Sequence, residues 1–146
     1  MRILLTGLAI CALVAADAAQ DAVKKELGQL QGEWTLVSGE RDGQDLPEDI
    51  VKNATRNFKG DEATVTLNGQ VILKAKITLD PSKKPKTLDY AVSEGEAQGQ
   101  TIKSIYELDG DKLKVCSSAP GGERPKEFNT KDGNGQTLSV WKRAKK

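Results

Sequence analysis

The chain has 146 residues, with 22 Lys and Arg against 21 Asp and Glu, a formal net charge of +1 and no histidine. That length fits one domain. Such an even balance, without a basic tail or acidic block, gives no electrostatic footprint for nucleic acid or an anionic membrane surface. Without histidine the usual general base near neutral pH and the commonest metal ligand are both missing. Ser-His-Asp and Cys-His sets cannot be built, and zinc is disfavoured.

The first residues read as an export signal. Arg2 is a short positive start, Ile3 to Ala16 form an apolar run broken only by Thr6 and Gly7, and Ala16-Asp17-Ala18 is an A-x-A cleavage site. The run is shorter than the roughly 20 residues that span a bilayer. The expected organisation is a signal peptide over 1–18 and one domain over 19–146, with its core at about 27–143 and no membrane span after cleavage. The mature chain is then periplasmic or extracellular. It keeps one cysteine, Cys116, so no intramolecular disulfide can form and stability must come from an apolar core.

Asp21 to Gln31 is expected to be a short helix. Asp21 suits its N-cap, Val23, Leu27 and Leu30 recur at helical spacing, and Gly32 follows as a stop. From Glu33 the period becomes two: Trp34 and Leu36 share one face of a first strand, Thr35 and Val37 the other. Gly39 to Leu46 is a polar connection, and Pro47 opens a second short helix over Pro47 to Ala54. Short strands follow. Arg56–Lys59 meets Glu62–Leu67 across Gly60-Asp61. Asn68-Gly69 is a strong hairpin signal leading to Gln70–Leu79, where Val71, Leu73, Ala75, Ile77 and Leu79 alternate with wetter positions. Lys86–Val92, Gln100–Leu108, Lys112–Cys116, Lys126–Thr130 and Gln136–Lys142 complete the set. Asp109-Gly110 and Asp132-Gly133-Asn134-Gly135 supply further turns. With no βαβ spacing the sheet should be antiparallel. The fold class is therefore all-β: one meander of about 8–9 strands closed into a barrel, which removes unpaired edges.

The segments LQGEWTLVSGERDGQDLPEDIV, LDPSKKPKTLDY, GQTIKSIYELDGDKLKVC and GGERPKEF resemble, in order, a family of uncharacterised exported bacterial domains abundant in planctomycetes, with a lipocalin-like fold. The resemblance covers about Leu27 to Arg143 and implies no activity. Gly32-Glu33-Trp34 is also similar to the Gly-x-Trp that opens the first strand of the lipocalin and fatty-acid-binding superfamily. That likeness implies that Trp34 closes one barrel end beneath a basic residue, Arg143 or Lys142. The chain departs from the fatty-acid binders at its last strand: Trp141-Lys142-Arg143-Ala144 stands where they carry Arg-x-Tyr to hold a carboxylate.

No catalytic set converges. The acidic pairs Asp61/Glu62, Glu94/Glu96 and Asp109/Asp111 sit in glycine turns, where backbone geometry explains them. No metal and no cofactor is expected. Cys116 alternates with Lys112 and Lys114, a placement that would lower its pKa; the alternative is an inert, part-buried thiol. Lys83, Lys84 and Lys86 form either a solvated loop or a contact for an anionic polymer. Arg124 either pairs with a carboxylate or binds an anionic ligand. The expected ligand-lining residues of the barrel interior are Leu73, Ala75, Ile77, Tyr90 and Tyr106. Eight-stranded barrels lie at the boundary between hollow and filled. Two readings follow: a barrel that binds a small apolar or amphipathic ligand, or a packed extracytoplasmic module that meets an envelope protein through its loops. An enzyme is not expected.

Overall fold

A computed structural model describes residues 18–131 and 135–144. Residues 1–17, on which the export reading rests, and residues 132–134 of the last expected turn lie outside the described residues. The remainder is a nine-stranded antiparallel sheet. Strand β1 (Gly32–Arg41) is followed by the two-residue β2 (Gln44–Asp45), then β3 (Ala54–Lys59), β4 (Glu62–Leu67), β5 (Gln70–Asp80), β6 (Lys86–Gly95), β7 (Thr101–Asp109), β8 (Lys112–Ser117) and β9 (Thr137–Arg143). Helix α1 covers residues 18–30, and α2 (Glu48–Asn53) joins β2 to β3.

Consecutive strands from β3 to β9 pair in order. β1 pairs with both β3 and β9, so eight strands close into a barrel and β2 only extends the tip of β1. The seam runs from Trp34 opposite Arg143 to Arg41 opposite Thr137. The meander closes as its turn chemistry dictates. Asn68 and Gly69 have φ of 53° and 80°, the two positive values that a hairpin turn matched to strand twist requires.

The barrel has two unlike ends. At one, α1 lies across the opening, Leu30 is fully buried, and Val23 and Leu27 pack on the core. Trp34, Phe58, Leu88, Tyr106 and Leu113 beneath it are at most 1% exposed. At the other, α2, the β4–β5 hairpin and the β6–β7 turn form a rim. The apolar residues there, Leu36, Val65, Leu67, Leu73 and Ile102, are only partly buried. The first end is sealed and the second is a mouth.

Several expectations need correction. Residues 18–20 are already helical, so Asp21 lies inside α1 and is not its N-cap. Arg41 and Gln44-Asp45 form a β1–β2 hairpin where a polar connection was expected. Lys126–Thr130 is not a strand. β8 and β9 already pair with each other from Lys112–Lys142 to Ser117–Thr137, so the chain between them finds no free strand edge. Its described first part, residues 118–131, lies instead over the outward faces of β7 and β8, held where Ser118 and Gly121 donate to the carbonyls of Lys103 and Thr101. Val71 is 52% exposed, because a register shift between Val65 and Thr66 takes it out of the inward row.

Trp34 is the largest of the fully buried side chains among the described residues. Trp34→Ala is expected to cost about 3–5 kcal/mol in urea denaturation, the range for a buried large-to-small aromatic change. A loss under about 1 kcal/mol would show that the sealed end does not depend on it.

Candidate functional site

The period-two alternation of β3 points Ala54, Arg56 and Phe58 inward, and all three are buried. Arg56 pairs in register with Trp34 on β1 and Val65 on β4, at mid-depth between the sealed layer and the mouth. Its guanidinium crosses the interior. Nη1 donates to the Tyr90 hydroxyl at 2.7 Å. The guanidinium carbon lies 4.5 Å from the centre of the Trp141 ring and 5.5 Å from that of Tyr90.

No carboxylate pairs with Arg56 among the described residues. Its Nε is buried and has no hydrogen-bond acceptor, the sole such side-chain atom among the described residues. A desolvated guanidinium costs several kcal/mol. A desolvated cation–π contact returns about 2 kcal/mol and a hydrogen bond to a charged group about 1.5–3 kcal/mol. The ring contacts and the Tyr90 bond therefore offset much of the charge, while the orphan Nε still costs about 1–3 kcal/mol. A methionine would fill similar space without that cost, so the charge is not explained by packing.

The surrounding wall is mixed. Towards the mouth lie Leu36, Val65, Leu67, Leu73 and Ile102. On the β7–β9 side, Ser104 and Ser117 share a hydrogen bond of 2.8 Å, and Ser139 accepts from Trp141 Nε1 at 2.8 Å. Those polar groups are satisfied, which leaves Arg56 as the group with unused donor capacity.

The residues expected from the sequence fall in different places. Leu73 is part-buried at the mouth; Ala75 and Ile77 are buried along β5. Tyr90 touches Arg56. Tyr106 sits in the sealed layer, where its hydroxyl donates to Glu26 Oε1 of α1 at 3.0 Å, and Lys86 Nζ approaches the same oxygen at 2.8 Å. Trp34 is fully buried, with its Nε1 donating to the Leu30 carbonyl at 2.8 Å. Arg143 lies over the Trp34 ring at 4.3 Å and donates to the carbonyls of Gln29 and Gln31. Lys142 points outward and is exposed. Arg124 takes the carboxylate-pairing alternative: it binds Asp89 through two hydrogen bonds of 2.6 and 3.0 Å and donates to the Ser104 carbonyl, on the outer wall.

Cys116 is fully buried beneath residues 118–131, with Sγ 3.6 Å from the Asn129 carbonyl. Burial pushes its thiol up, opposite to the lowering expected from neighbouring lysines, because its side chain is covered by the connection rather than facing Lys112 and Lys114 through solvent. Among the described residues no group of His, Cys, Asp or Glu is placed to hold a metal ion. No helix there is long and apolar enough to cross a membrane.

Arg56 and Glu26 are buried charged side chains that the sequence reading does not single out. Each is a charged residue at an inward position: Arg56 between Ala54 and Phe58, and Glu26 between Val23 and Leu30 on the apolar stripe. A charge that breaks such a stripe is the signal that finds them. Comparison with family models, curated proteins and solved structures found no match.

Burial raises the phenols of Tyr90, against the opposing charge of Arg56, and of Tyr106, where the Glu26 carboxylate adds to the effect. Unfolded tyrosines ionise near the ordinary value of 10.0, and the folded ones hold their protons above it. The unfolded state then binds fewer protons, so the contribution of these two rings to stability is constant below about pH 10 and falls as pH rises above it. Phenolate absorbance is expected to appear only together with unfolding; smooth ionisation of the folded protein near pH 10 would contradict the burial of these two rings.

Proposed function

We propose that the protein is an exported, lipocalin-like barrel that binds a small amphipathic anion, with the anionic group on Arg56 and the apolar part directed towards the mouth. The observation that carries this reading is the buried guanidinium with an orphan Nε and no carboxylate partner. A carboxylate reaching Arg56 from the mouth would supply both the missing charge and the missing acceptor, and Leu36, Val65, Leu67 and Leu73 suit an alkyl chain. The layer beneath Arg56 is filled by Trp34, Phe58 and Leu88, so the anionic group enters first. The Gly-x-Trp start and the likeness to exported planctomycete-type domains agree with this reading, as does the A-x-A site at Ala16–Ala18. The carboxylate contact differs from the Arg-x-Tyr route of fatty-acid binders, because it comes from β3 rather than the last strand.

Calorimetric titration with laurate and with dodecanol tests the proposal. The protein is expected to bind laurate, and Arg56→Met to weaken that binding about ten- to a hundredfold, the value of one or two hydrogen bonds to a charged group. Dodecanol binding should be weak and unchanged. Equal laurate affinity in both proteins, or no uptake by the unaltered one, would reject the reading. Export has its own check: N-terminal sequencing of protein from its host should begin at Ala19, and retention of Met1 would refute it.

A second reading is an extracytoplasmic interaction module with a packed interior. It is favoured by the filled layer from Trp34 to Leu113, and it is the reading that remains if laurate fails to bind.

A further inference from the structure

The mouth above Arg56 is shallow. Arg56 lies two residues inside Ala54, where β3 begins, a rise of about 7 Å. On the neighbouring strand Val65 stands opposite Arg56, and Leu67, opposite Ala54, ends β4. An unbranched chain advances by zigzag bonds of about 1.5 Å, so about six carbons lead from a carboxylate on the guanidinium to the rim. Any group that a ligand carries beyond that point meets the rim side chains.

That rim is acidic. Asp45 ends β2, and Glu48 and Asp49 open α2, whose Ile50 and Val51 are half-buried. Glu96 lies in the β6–β7 turn beside Ala97, which packs on the core. The Asn68-Gly69 turn carries no charge. The nearby bases are engaged elsewhere: Lys52 pairs with Glu48 at 2.9 Å, Lys74 pairs with Glu62 and stands opposite Glu94, and Arg41 donates to the Thr137 hydroxyl. Asp45, Asp49 and Glu96 are exposed and form no ion pair among the described residues. Surface carboxylates alone define no site. These stand at the entrance to a guanidinium that is 8% exposed and whose Nε has no acceptor. The depth of the mouth is less than the screening length of about 10 Å, so both charges act on one ligand.

We infer that the ligand is a zwitterion: a carboxylate on Arg56, an unbranched apolar spacer of about six carbons along Val65 and Leu67, and a cationic amine at the rim among Asp45, Asp49 and Glu96. This inference rests on the anion reading of Arg56 and adds the chemistry of the ligand's other end. A plain carboxylate leaves the rim acids uncompensated. A dicarboxylate of the same length adds repulsion there, and an alkylamine leaves Arg56 Nε without its acceptor.

The test is an amide chemical-shift titration of isotope-labelled protein with ε-aminocaproate, caproate, adipate and hexylamine, which share one chain length. At low salt ε-aminocaproate is expected to bind about two- to fivefold more tightly than caproate, the value of a solvent-exposed ion pair. Adipate should bind more weakly than caproate by a similar factor, and hexylamine should not bind. In the triple variant Asp45→Asn, Asp49→Asn, Glu96→Gln the affinities for ε-aminocaproate and caproate should converge. Arg56→Met should weaken both. The inference is overturned if ε-aminocaproate binds no more tightly than caproate, if its preference persists in the triple variant, or if hexylamine binds as well as ε-aminocaproate. Carboxylates that bind through Arg56 without any gain from the amine would sink the zwitterion and leave the anion reading standing. Failure of every carboxylate, laurate included, would sink both.

Discussion

The stacked contact between Arg143 and Trp34 ties the first strand of the described barrel to the last. Trp34 opens the first strand and Arg143 ends the last, and the register places them opposite each other. The guanidinium covers the indole ring at 4.3 Å, reaches Asp111 in the β7–β8 turn, and accommodates two carbonyls at the C-terminal end of α1. Those carbonyls have no partner within the helix, and a cation there also meets the negative end of its dipole. One side chain therefore closes the sheet, seats the helix and fixes the turn beside it. Trp34 adds a bond to the Leu30 carbonyl, and the Gln31 side chain bonds both backbone groups of Gly60 in the β3–β4 turn.

Sealing one end so firmly gives the other its character. A barrel of eight strands has little interior to spare, and here the volume below Arg56 is spent on Trp34, Phe58, Leu88, Tyr106 and Leu113. Above Arg56 the side chains are smaller or only partly covered. The guanidinium stands at the boundary, stacked between Trp141 and Tyr90, with an unused donor. The rings lower the cost of the charge, and no carboxylate among the described residues cancels it. On the outer wall the logic is reversed, because Asp89 neutralises Arg124.

Much of this fold was readable from residue order. Alternation along β5 and β6 placed Ala75, Ile77, Leu88 and Tyr90 inward, and Asn68-Gly69 and Asp109-Gly110 located two hairpins, because those turns demand backbone conformations that few other residues accept. Trp34 beneath Arg143 or Lys142 is implied by the lipocalin likeness rather than by pattern, and the structure places Arg143 there. The site was harder. Reading α2 through Ala54 made Arg56 look like the first residue of a strand, beside a turn, where a charge needs no explanation. Starting β3 at Ala54 puts it in the middle of an inward row. Cys116 and Ile105 were obscured differently: their outward position is set by alternation, but the irregular connection that buries them has no periodicity to announce it. Arg124 carried two meanings in the sequence, and only the distance to Asp89 separates them.

The central claim is that Arg56 holds an anion inside the barrel, and the Nε–H of that residue reports on it directly. Its side-chain ¹H–¹⁵N resonance, assigned by comparison with the Arg56→Met protein, should move downfield and become protected from exchange when a medium-chain carboxylate is added, as Nε gains its missing acceptor. An Arg56 Nε–H signal that stays unchanged at saturating carboxylate would contradict the account.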